Sequence, residues 1–225
     1  MQINPIAYIH TDFKEKFGIP RQSGRVPELL GRIVFEADYR VEQAFAGIED
    51  FSHLWLIFDF SKSHREKWSP TVRPPRLGGN KRVGVFASRS PFRPNSLGLS
   101  AVKLERVEKT EKYGITLVVS GVDLLDNTPI YDIKPYIPYA DCIGDAKGSY
   151  ADDHKCDSLN VDFKQELLQV LPEGKRQAVI KCLADDPRPA YKENDGKIYS
   201  MSFAGFDIHF TVENNTAVVQ SVEKL

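Results

Sequence analysis

The feature that most constrains the fold is a series of short apolar segments in the first 140 residues, with little helical periodicity between them. Val, Ile, Leu and aromatic residues fill these segments, and Gly, Pro and charged residues separate them, as in strands joined by turns. The predicted strands are residues 6–10, 31–35, 54–60, 83–87, 98–107 and 114–120. Many strands at close spacing favour a barrel or a sandwich over a doubly wound sheet. We therefore expect this part of the chain to be mainly β.

Two local patterns refine that expectation. Residues 41–47 are the one helix-like segment in this half, with Val41, Ala44 and Phe45 on one face. Residues 115–120 alternate in character, which predicts a strand with one drier face. That face carries Ile115, Leu117 and Val119, and the opposite face carries Thr116, Val118 and Ser120.

The pattern changes after a predicted boundary between residues 138 and 160, where Gly144, Gly148 and a run of Asp, Ser and Lys interrupt it. Helical periodicity covers residues 163–171 and 176–184. Candidate strands follow at residues 197–203, 206–212 and 216–222, with tight hairpin turns predicted at Ala204-Gly205 and Asn214-Asn215. We therefore expect a β domain over residues 1–145 and a small α/β domain over residues 150–225.

Bulk composition excludes several classes of protein. No apolar run approaches the roughly 20 residues of a membrane helix, and the first residues lack the charged and apolar regions of a signal peptide. The three cysteines show no C-x-x-C spacing, and the five histidines show no metal-ligand spacing. We therefore expect a cytoplasmic protein without a disulfide framework, a membrane segment or a metal site.

Positive charge is concentrated in one Pro/Gly-rich region, residues 62–93, called the basic window below. It holds nine basic residues and one acidic residue, in a chain whose net charge is −1. Such a region is typical of a site for a polyanion or a phosphorylated ligand, although charge runs also occur as solvated loops. The basic residues are Lys62, Arg65, Lys67, Arg73, Arg76, Lys81, Arg82, Arg89 and Arg93.

Two segments combine rigid turns with hydrogen-bond donors. In residues 18–23, Pro20 fixes the backbone while Arg21 and Gln22 offer donors for a carboxylate or phosphate. The same residues also suit an ordinary surface turn. In residues 88–100, two prolines hold Arg89 and Arg93 on a stiff segment, so that less entropy is lost on binding than with a flexible basic tail. A rigid connection between strands is the alternative.

A third segment, residues 121–136, carries carboxylates beside apolar side chains. Asp123 and Asp126 flank Leu124 and Leu125, an arrangement suited to ribose hydroxyls and an adenine face. Both aspartates also suit the capping of the following Asn-Thr-Pro turn. Further candidates to line the same binding site are Asp132, Lys134 and Tyr136.

A fourth segment places His64 and Arg65 close to Trp68. An aromatic ring among basic residues can stack on an extruded base, and Phe92 is a second candidate for that contact. Ordinary packing of these rings is the alternative. The chain has no G-x-G-x-x-G, G-x-x-x-x-G-K-[ST] or G-x-S-x-G motif, which argues against a Rossmann, P-loop or α/β-hydrolase site.

Three separated motifs occur together and in order: residues 19–22 (IPRQ), 90–100 (SPFRPNSLGLS) and 121–126 (GVDLLD). In these motifs the sequence resembles the TsaA-like (YaeB/TrmO) family over residues 1 to about 145, and residues 186–191 (DPRPAY) resemble the C-terminal part of its bacterial members. The resemblance implies a single-sheet β-barrel that binds S-adenosylmethionine and works as a homodimer. It also implies N6-methylation of threonylcarbamoyladenosine at position 37, next to the anticodon of threonine tRNA.

The resemblance also implies a set of cofactor-binding residues. They are Pro20, Arg21, Gln22, His64, Arg65, Arg89, Leu99, Asp123, Leu124, Leu125 and Asp126. Their chemistry suits the cofactor, because Arg and Gln suit its carboxylate, Asp suits its ribose diol, and leucine contacts suit its adenine.

The implied reaction requires a proton acceptor and an RNA surface. The acceptor nitrogen must lose its proton, and Asp126 or Asp132 is a candidate acceptor. The anticodon stem-loop is expected to bind the basic window, with Arg73, Arg76, Lys81, Arg82 and Arg93 as its contacts. Two alternatives stay open: a non-catalytic tRNA-binding module, and a methyltransferase with a small-molecule acceptor.

Overall fold

The fold is that of a computed structural model, which describes residues 2–74, 81–154, 158–188 and 196–225, without the side chains of residues 153 and 154. The strands of the first part of the chain are β1 (Ala7–His10), β2 (Leu30–Phe35), β3 (His53–Asp59), β4 (Thr71–Val72), β5 (Val83–Gly84), β6 (Leu97–Thr110), β7 (Gly114–Ser120) and β8 (Thr128–Pro135). Six of them form one closed, antiparallel barrel in the order β1-β2-β7-β6-β3-β8. The expected single-sheet β-barrel is confirmed.

The barrel interior is filled by alternate residues of its strands, as the period of two requires. On β3, Leu54, Leu56 and Phe58 point inward and are at most 4% exposed. Gly98 of β6 pairs with Phe58, and a Cβ atom at Gly98 would lie only 2.2 Å from that ring. Glycine is therefore required where residues 88–100 enter the barrel wall.

One barrel strand escapes the sequence prediction, and one predicted strand is too long. Residues 128–135 form β8, although their two prolines and the acidic Asp132 are depleted in strands. The predicted strand at residues 83–87 ends at Gly84, because Val85–Ala87 turns into a 3₁₀ helix. There Val85 is buried at 1% exposure while Phe86 is 74% exposed.

The helix predicted at residues 41–47 is wrong, because the segment forms a short 3₁₀ turn. Only Glu42–Phe45 is helical, as a 3₁₀ turn flanked by two others, Ala37–Tyr39 and Ile48–Asp50. Phe45 alone of the predicted apolar face is buried, edge-on to Phe35 with ring centroids 4.8 Å apart, while Val41 and Ala44 are exposed. Phe45, the partly buried Ile48 and a hydrogen bond from Arg40 to the Phe35 carbonyl anchor this connection on the barrel.

The drier-face prediction for β7 is also wrong, because both faces of the strand are buried. Leu117 and Val119 pack inside, and Thr116, Val118 and Ser120 are at most 4% exposed on the outside. Charged side chains of neighbouring strands cover that outer face. Glu105 accepts a hydrogen bond from Ser120 at 2.6 Å, and Arg32 pairs with Glu108 beside Thr116.

The rest of the chain builds a small α/β layer against the barrel. Its elements are α1 (Pro138–Asp141), a 3₁₀ turn (Ser149–His154), β9 (Asn160–Asp162), α2 (Gln165–Leu168), α3 (Glu173–Ala184), β10 (Tyr199–Phe203), β11 (Phe206–Glu213) and β12 (Thr216–Lys224). The sheet order is β10-β11-β12-β9, with β9 parallel to β12. The small α/β part is confirmed, although the helix predicted at residues 163–171 shrinks to α2.

The two tight turns of this sheet lie where they were predicted. Asn214 and Asn215 have φ of 47° and 60°, and Ala204 and Gly205 have φ of 52° and 83°. Two consecutive residues with positive φ are the signature of a type I′ hairpin turn, for which Asn and Gly are favoured. These turns fix the register of β10, β11 and β12.

The barrel and the α/β layer share one continuous apolar core. Phe13, in the loop after β1, lies edge-on to Phe203 with ring centroids 5.2 Å apart, and the Ala204 amide donates to the Asp12 carbonyl at 2.9 Å. Gly18 has a φ of +95°, and a Cβ there would lie 2.5 Å from the Met201 side chain. The segment between β1 and β2 is therefore clamped by the C-terminal sheet, and this segment carries the candidate donors Arg21 and Gln22.

Candidate functional site

Three of the predicted segments converge at one end of the barrel. The Gly24 amide donates to the Gly121 carbonyl at 2.8 Å, which lays the turn of residues 18–24 against the start of residues 121–126. The Arg89 guanidinium donates to the Gln22 side-chain carbonyl, which joins the same turn to the loop of residues 88–96. Pro20 is buried and Gln22 is exposed, so the turn is anchored on one side and open on the other.

Asp123 lies at the centre of this convergence. Its Oδ1 atom is buried and has no hydrogen-bond partner among the described residues. Burial raises the pKa of Asp123 to about 6, while the Ser100 hydroxyl, the backbone amides of Asp123 and Ser23, and the Arg89 charge act in the opposite direction. A buried carboxylate oxygen without a donor costs free energy. The site is therefore suited to a ligand that brings a hydroxyl donor.

Asp126, by contrast, is fully engaged with neighbouring donors. It accepts from the Thr11 amide at 3.0 Å and from Lys14 at 2.5 Å, with His10 at 3.4 Å. Burial works to raise the pKa of Asp126, but the hydrogen bonds from Lys14 and Thr11 and the charge of Lys14 outweigh it and lower the pKa. Asp126 is held as an anion that ties residues 121–126 to the end of β1.

The apolar candidates of this segment divide into buried and accessible side chains. Leu124 is 2% exposed and belongs to the core, so only its backbone can meet a ligand, whereas Leu125 is partly exposed. Leu125 and Asp126 line a groove of about 370 Å³ with Tyr8, Lys14, Ser61, Lys62, Asn127 and Pro129. Leu99 is 56% exposed on the outer face of β6.

His64 forms a close pair that sequence reasoning missed. Its Nε2 atom lies 2.7 Å from Oδ1 of Asp59, the buried last residue of β3. His64 itself is exposed. The signal available in the sequence is an aspartate five positions before the histidine, at the end of a very apolar strand. An aspartate held in this way fixes the tautomer and the orientation of an imidazole.

The loop that carries His64 is tied to both neighbouring segments. Lys16 donates to the Lys62 carbonyl at 2.6 Å and to the Ser63 hydroxyl at 2.9 Å. On the other side, the Arg65 guanidinium lies 3.6 Å from the centroid of the Phe92 ring. His64 and Arg65 therefore stand between residues 12–24 and the loop of residues 88–96.

Arg93 braces the loop that carries it. Its Nη1 atom donates to the carbonyls of Val85 and Ser88, at 3.0 and 2.7 Å. The side chain thereby closes the 3₁₀ turn of Val85–Ala87 against the proline segment. One nitrogen of the guanidinium thus has a structural role within the loop, which the sequence did not indicate.

The remaining basic-window candidates lie on exposed loop surface. Arg73, Lys81 and Arg82 are exposed around the ribbon formed by β4 and β5, and Arg82 donates to the Thr71 hydroxyl at 3.0 Å. Arg76 lies outside the described residues. Arg73, Lys81 and Arg82 therefore present their charge outward, unlike Arg93.

Asp132 and its neighbours lie on the outer face of the barrel. Asp132 pairs with Lys134 at 2.8 Å, and its other oxygen accepts from the Ile133 amide at 2.9 Å. Its partner across the β3–β8 ladder is Ile57. Tyr136 packs against Trp55 with ring centroids 5.5 Å apart. Asp132 is thus a solvated, paired carboxylate.

The C-terminal part reaches the same end of the barrel. Arg21 donates to the carbonyls of Asp186 and Arg188, at 3.1 and 2.5 Å, and Arg25 pairs with Asp185. A cavity of about 230 Å³ lies between these elements. The candidate turn at residues 18–24 is therefore positioned from both sides, by residues 121–126 and by the segment after α3.

Within the described residues, no group of three His, Cys, Asp or Glu side chains has the arrangement of a metal site. The same part of the chain contains no helix long and apolar enough to cross a membrane. The described cysteines, exposed Cys142 and buried Cys182, are both free thiols.

Comparison with known proteins identifies the family. The chain matches the tRNA-methyltransferase O N-terminal domain over residues 8–142 and the TrmO C-terminal domain over residues 157–225. A tRNA (adenine(37)-N6)-methyltransferase of Escherichia coli K12 is 42% identical over 219 residues, covering 94% of this chain and 93% of that protein. A putative S-adenosylmethionine-dependent methyltransferase of Pseudomonas aeruginosa is 40% identical over 216 residues, covering 92% of this chain and 91% of that protein. The crystal structure of TrmO from P. aeruginosa matches with a TM-score of 0.80 at 34% identity, covering 100% of this chain and 97% of that chain. The chain therefore belongs to the tRNA-methyltransferase O (TrmO) family.

Proposed function

We propose that this chain transfers a methyl group from S-adenosylmethionine to N6 of adenine 37 in tRNA. Support comes from relatives named for this activity and this cofactor, which match the chain almost end to end. The observation in the structure that carries the proposal is the meeting of Gln22, Arg89 and Asp123 at one end of the barrel.

The residues at this end fit the cofactor chemically. Arg21, Gln22 and Arg89 supply donors for a carboxylate, and the unpartnered Oδ1 of Asp123 supplies an acceptor for a hydroxyl. The proposed set is completed by Pro20, His64, Arg65, Leu99, Leu124, Leu125 and Asp126. Leu124 contributes through its backbone because its side chain is buried. S-adenosylmethionine supplies a methyl group on a sulfonium, whose thioether leaves without needing a proton. The chain's main task is to hold the two reactants in line.

The acceptor nitrogen must lose a proton, and the contacts favour one acceptor over the others. Asp126 is neutralised by Lys14 and the Thr11 amide, and Asp132 by Lys134. His64, in contrast, is exposed and its Nε2 faces buried Asp59. An Nε2 proton held by Asp59 leaves Nδ1 with a lone pair that can take the proton from N6. We assign the proton acceptor to His64, beside its proposed place in the cofactor pocket.

The proposed tRNA surface is the basic window, with Arg73, Arg76, Lys81 and Arg82 as phosphate contacts. Its support is nine basic residues against one acidic residue, in a chain of net charge −1. Phosphate contacts position the RNA without reading its sequence. The acceptor base is then presented to His64 beside the loop of residues 88–96.

The finer substrate in this proposal is adenosine 37 carrying a threonylcarbamoyl group, in threonine tRNA. That group adds a carboxylate to the acceptor, and Arg93 is its proposed partner through the part of its guanidinium that does not brace the loop. Residues 1–145 form the proposed catalytic domain, and residues 150–225 a domain that positions the turn of residues 18–24.

The proposed assembly is a homodimer in the cytoplasm. Exposed Leu97 and Leu99 on the outer face of β6 give an apolar surface for a second copy. Free rather than paired cysteines among the described residues are in keeping with a reducing compartment. Sedimentation velocity tests the dimer, and Leu99→Lys is expected to shift it toward monomer. A monomer in the unmodified protein would contradict the assembly.

The experiment that tests the function incubates the purified chain with methyl-labelled S-adenosylmethionine and tRNA, with and without the threonylcarbamoyl group. Label in N6 of residue 37 is the expected result. Binding of tRNA without transfer of label indicates a binding module instead. Label in a small molecule but not in tRNA indicates a metabolite methyltransferase. Either of these outcomes overturns the proposal.

A further inference from the structure

Two aromatic side chains stand exposed at the edge of the basic window, and neither takes part in the cofactor site. Trp68 is 49% exposed and Phe86 is 74% exposed. Their ring centroids lie 6.3 Å apart at an interplanar angle of 32°. They are distant in sequence, so the fold itself has brought two large apolar surfaces side by side and left both facing outward. We call them the aromatic pair.

The aromatic pair is held by a rigid frame. Trp68 precedes β4 and Phe86 follows β5, and these two strands form a ribbon in which Thr71 pairs with Gly84 and Val72 with Val83. The Val85 amide donates to the Pro70 carbonyl at 2.9 Å, and the Val85 side chain is buried. Arg93 then donates to the Val85 carbonyl and lies with its guanidinium carbon 5.8 Å from the Phe86 ring centroid. Phe86 is therefore fixed in its outward position rather than exposed by a loose loop.

The charge around the pair selects the class of ligand. Arg93 lies 5.8 Å from the Phe86 ring centroid, Lys67 directly precedes Trp68 in the chain, and the exposed Arg82 donates to Thr71 of the ribbon that carries both rings. Glu66 is the one acidic residue in the window. Two copies of so cationic a surface would repel each other, which disfavours self-association through this face. Aromatic rings surrounded by cations are the arrangement that binds single-stranded nucleic acid, with bases stacked on the rings and phosphates on the cations.

We propose that the aromatic pair is a stacking platform for an unpaired base of the tRNA anticodon loop, next to the base that is methylated. The proposal rests on the proposed function, since it takes tRNA as the substrate. Stacking splays the loop, which helps to present adenine 37 to the cofactor site. The cations of the window supply attraction of the backbone, and the aromatic pair supplies a contact that duplex RNA cannot make.

Tryptophan fluorescence gives a direct test, because the chain has two tryptophans, Trp55 and Trp68. In a Trp55→Phe background, Trp68 is the sole indole. Titration with an anticodon stem-loop RNA is expected to quench its emission, whereas a fully paired RNA hairpin of equal length is expected to quench it much less. Unchanged emission at a stem-loop concentration that saturates binding overturns the proposal.

Binding measurements separate stacking from charge. Stacking of one base is worth about 1–3 kcal/mol, so Trp68→Ala and Phe86→Ala should each weaken stem-loop binding roughly 5- to 150-fold. Neither variant should change the dependence of log Kd on log salt, since neither removes a phosphate contact. Trp68→Phe should restore most of the affinity. Tyr139→Ala, at a 91% exposed tyrosine on α1, serves as the matched control and should bind as wild type.

Two further readouts keep this proposal distinguishable from the proposed function. If wild type methylates tRNA while Trp68→Ala and Phe86→Ala keep full affinity, the platform is wrong and the function stands. If wild type transfers no methyl group but the stem-loop quenches Trp68, the platform stands and the function fails. Sedimentation showing that the alanine variants dissociate a dimer would assign the pair to a second copy and overturn the platform.

Discussion

The guanidinium of Arg89 donates a hydrogen bond to the side-chain carbonyl of Gln22, a residue 67 positions earlier in the chain. The contact spans the opening between the turn that follows β1 and the proline loop that precedes β6. The same guanidinium acts electrostatically on Asp123, whose pKa it lowers against the effect of burial. The segments that carry Gln22, Arg89 and Asp123 are therefore electrostatically coupled. A substitution at Gln22 or Arg89 should change the pKa of Asp123.

The first prediction concerns Asp123 and stability. Burial raises the pKa of Asp123 to about 6 in the folded chain, above its ordinary value of 3.8. Ionisation of the folded chain therefore costs stability as the pH rises from about 4 to about 6. That cost is at most about 2–3 kcal/mol. Asp123→Asn, which cannot ionise, should gain stability relative to wild type over this window. Urea unfolding at pH 4, 5, 6 and 7 measures it, and a difference independent of pH would contradict the assignment.

The same group makes cofactor binding depend on pH in the opposite direction. A hydroxyl donated to Oδ1 of Asp123 favours the ionised carboxylate, so affinity for S-adenosylmethionine should fall below about pH 6, by up to about tenfold per unit. Calorimetry at several pH values reports this directly. Asp123→Asn should lose the dependence, and Asp145→Asn, at an exposed turn, should retain it.

How much of this was predictable is seen by comparing Asp123 with Asp126. The sequence singled out both as cofactor-binding candidates of one motif, and Asp126 also as a candidate proton acceptor. Only the fold separates them, because Asp126 meets the Thr11 amide and Lys14 whereas Oδ1 of Asp123 meets no donor among the described residues. The contacts of Asp126 join residues more than 90 positions apart in the sequence, and the state of Asp123 depends on its burial in the folded chain. No local pattern encodes either of them.

The fold was predictable where local signals agree with the tertiary structure. β7 and the hairpin turns at Ala204-Gly205 and Asn214-Asn215 were predicted because a run of strand-forming residues and a pair of turn residues are both local signals. β8 was not, since Pro129 and Pro135 oppose a strand and only pairing with β1 and β3 makes one. Asp59 was missed because its position at the end of an apolar strand is only a weak signal, and its role depends on the contact with His64.

A further prediction separates the two proposed roles of His64. A residue that only contacts the cofactor should raise the KM for S-adenosylmethionine when replaced, whereas a proton acceptor should lower kcat at saturating cofactor. We expect His64→Gln to lower kcat by about 10²-fold or more, because it removes the general base. Asp59→Asn should lower kcat in the same way through the wrong tautomer, with partial recovery in Asp59→Glu. An unchanged kcat in His64→Gln would return the role to Asp126 or Asp132.

Asp126 should contribute both to stability and to cofactor binding. Its carboxylate is partly buried and accepts from the Thr11 amide and Lys14, and these contacts lower its pKa despite burial. Asp126→Ala leaves the amide without a partner and should cost about 1–3 kcal/mol of unfolding free energy. Because the folded pKa is lowered, the contribution is present near neutral pH and is lost as acid protonates the carboxylate. Thermal unfolding at pH 7 and at pH 3 measures it, and calorimetry at pH 7 should show weaker cofactor binding of similar size. Wild-type affinity in Asp126→Ala would remove the residue from the cofactor site.

Salt dependence tests the basic window. Each phosphate contact contributes about 0.7–0.9 to the slope of log K against log salt. Replacing Arg73, Lys81 and Arg82 with Gln should reduce that slope by about 2–3 and leave affinity for S-adenosylmethionine nearly unchanged; adding Arg76→Gln should lower it further. Lys224→Gln, at the far end of β12, is the matched control. A slope that stays at its wild-type value would mean that these charges are only solvated.

The last prediction concerns the choice of substrate. A site built for the threonylcarbamoyl group leaves a cationic donor unpaired when the group is absent, which can amount to discrimination of about 10⁴ or more against unmodified tRNA. Arg93 is the proposed donor, and one of its nitrogens already holds the carbonyls of Val85 and Ser88. Arg93→Lys keeps the charge but loses the planar guanidinium that can donate two parallel hydrogen bonds to a carboxylate. Turnover on modified tRNA should therefore fall more than cofactor affinity does. If Arg93 acted only by bracing the loop, Arg89 would move with it and both quantities would fall together. Comparable methylation of modified and unmodified tRNA by the wild-type chain would contradict the prediction and point to the anticodon sequence as the determinant.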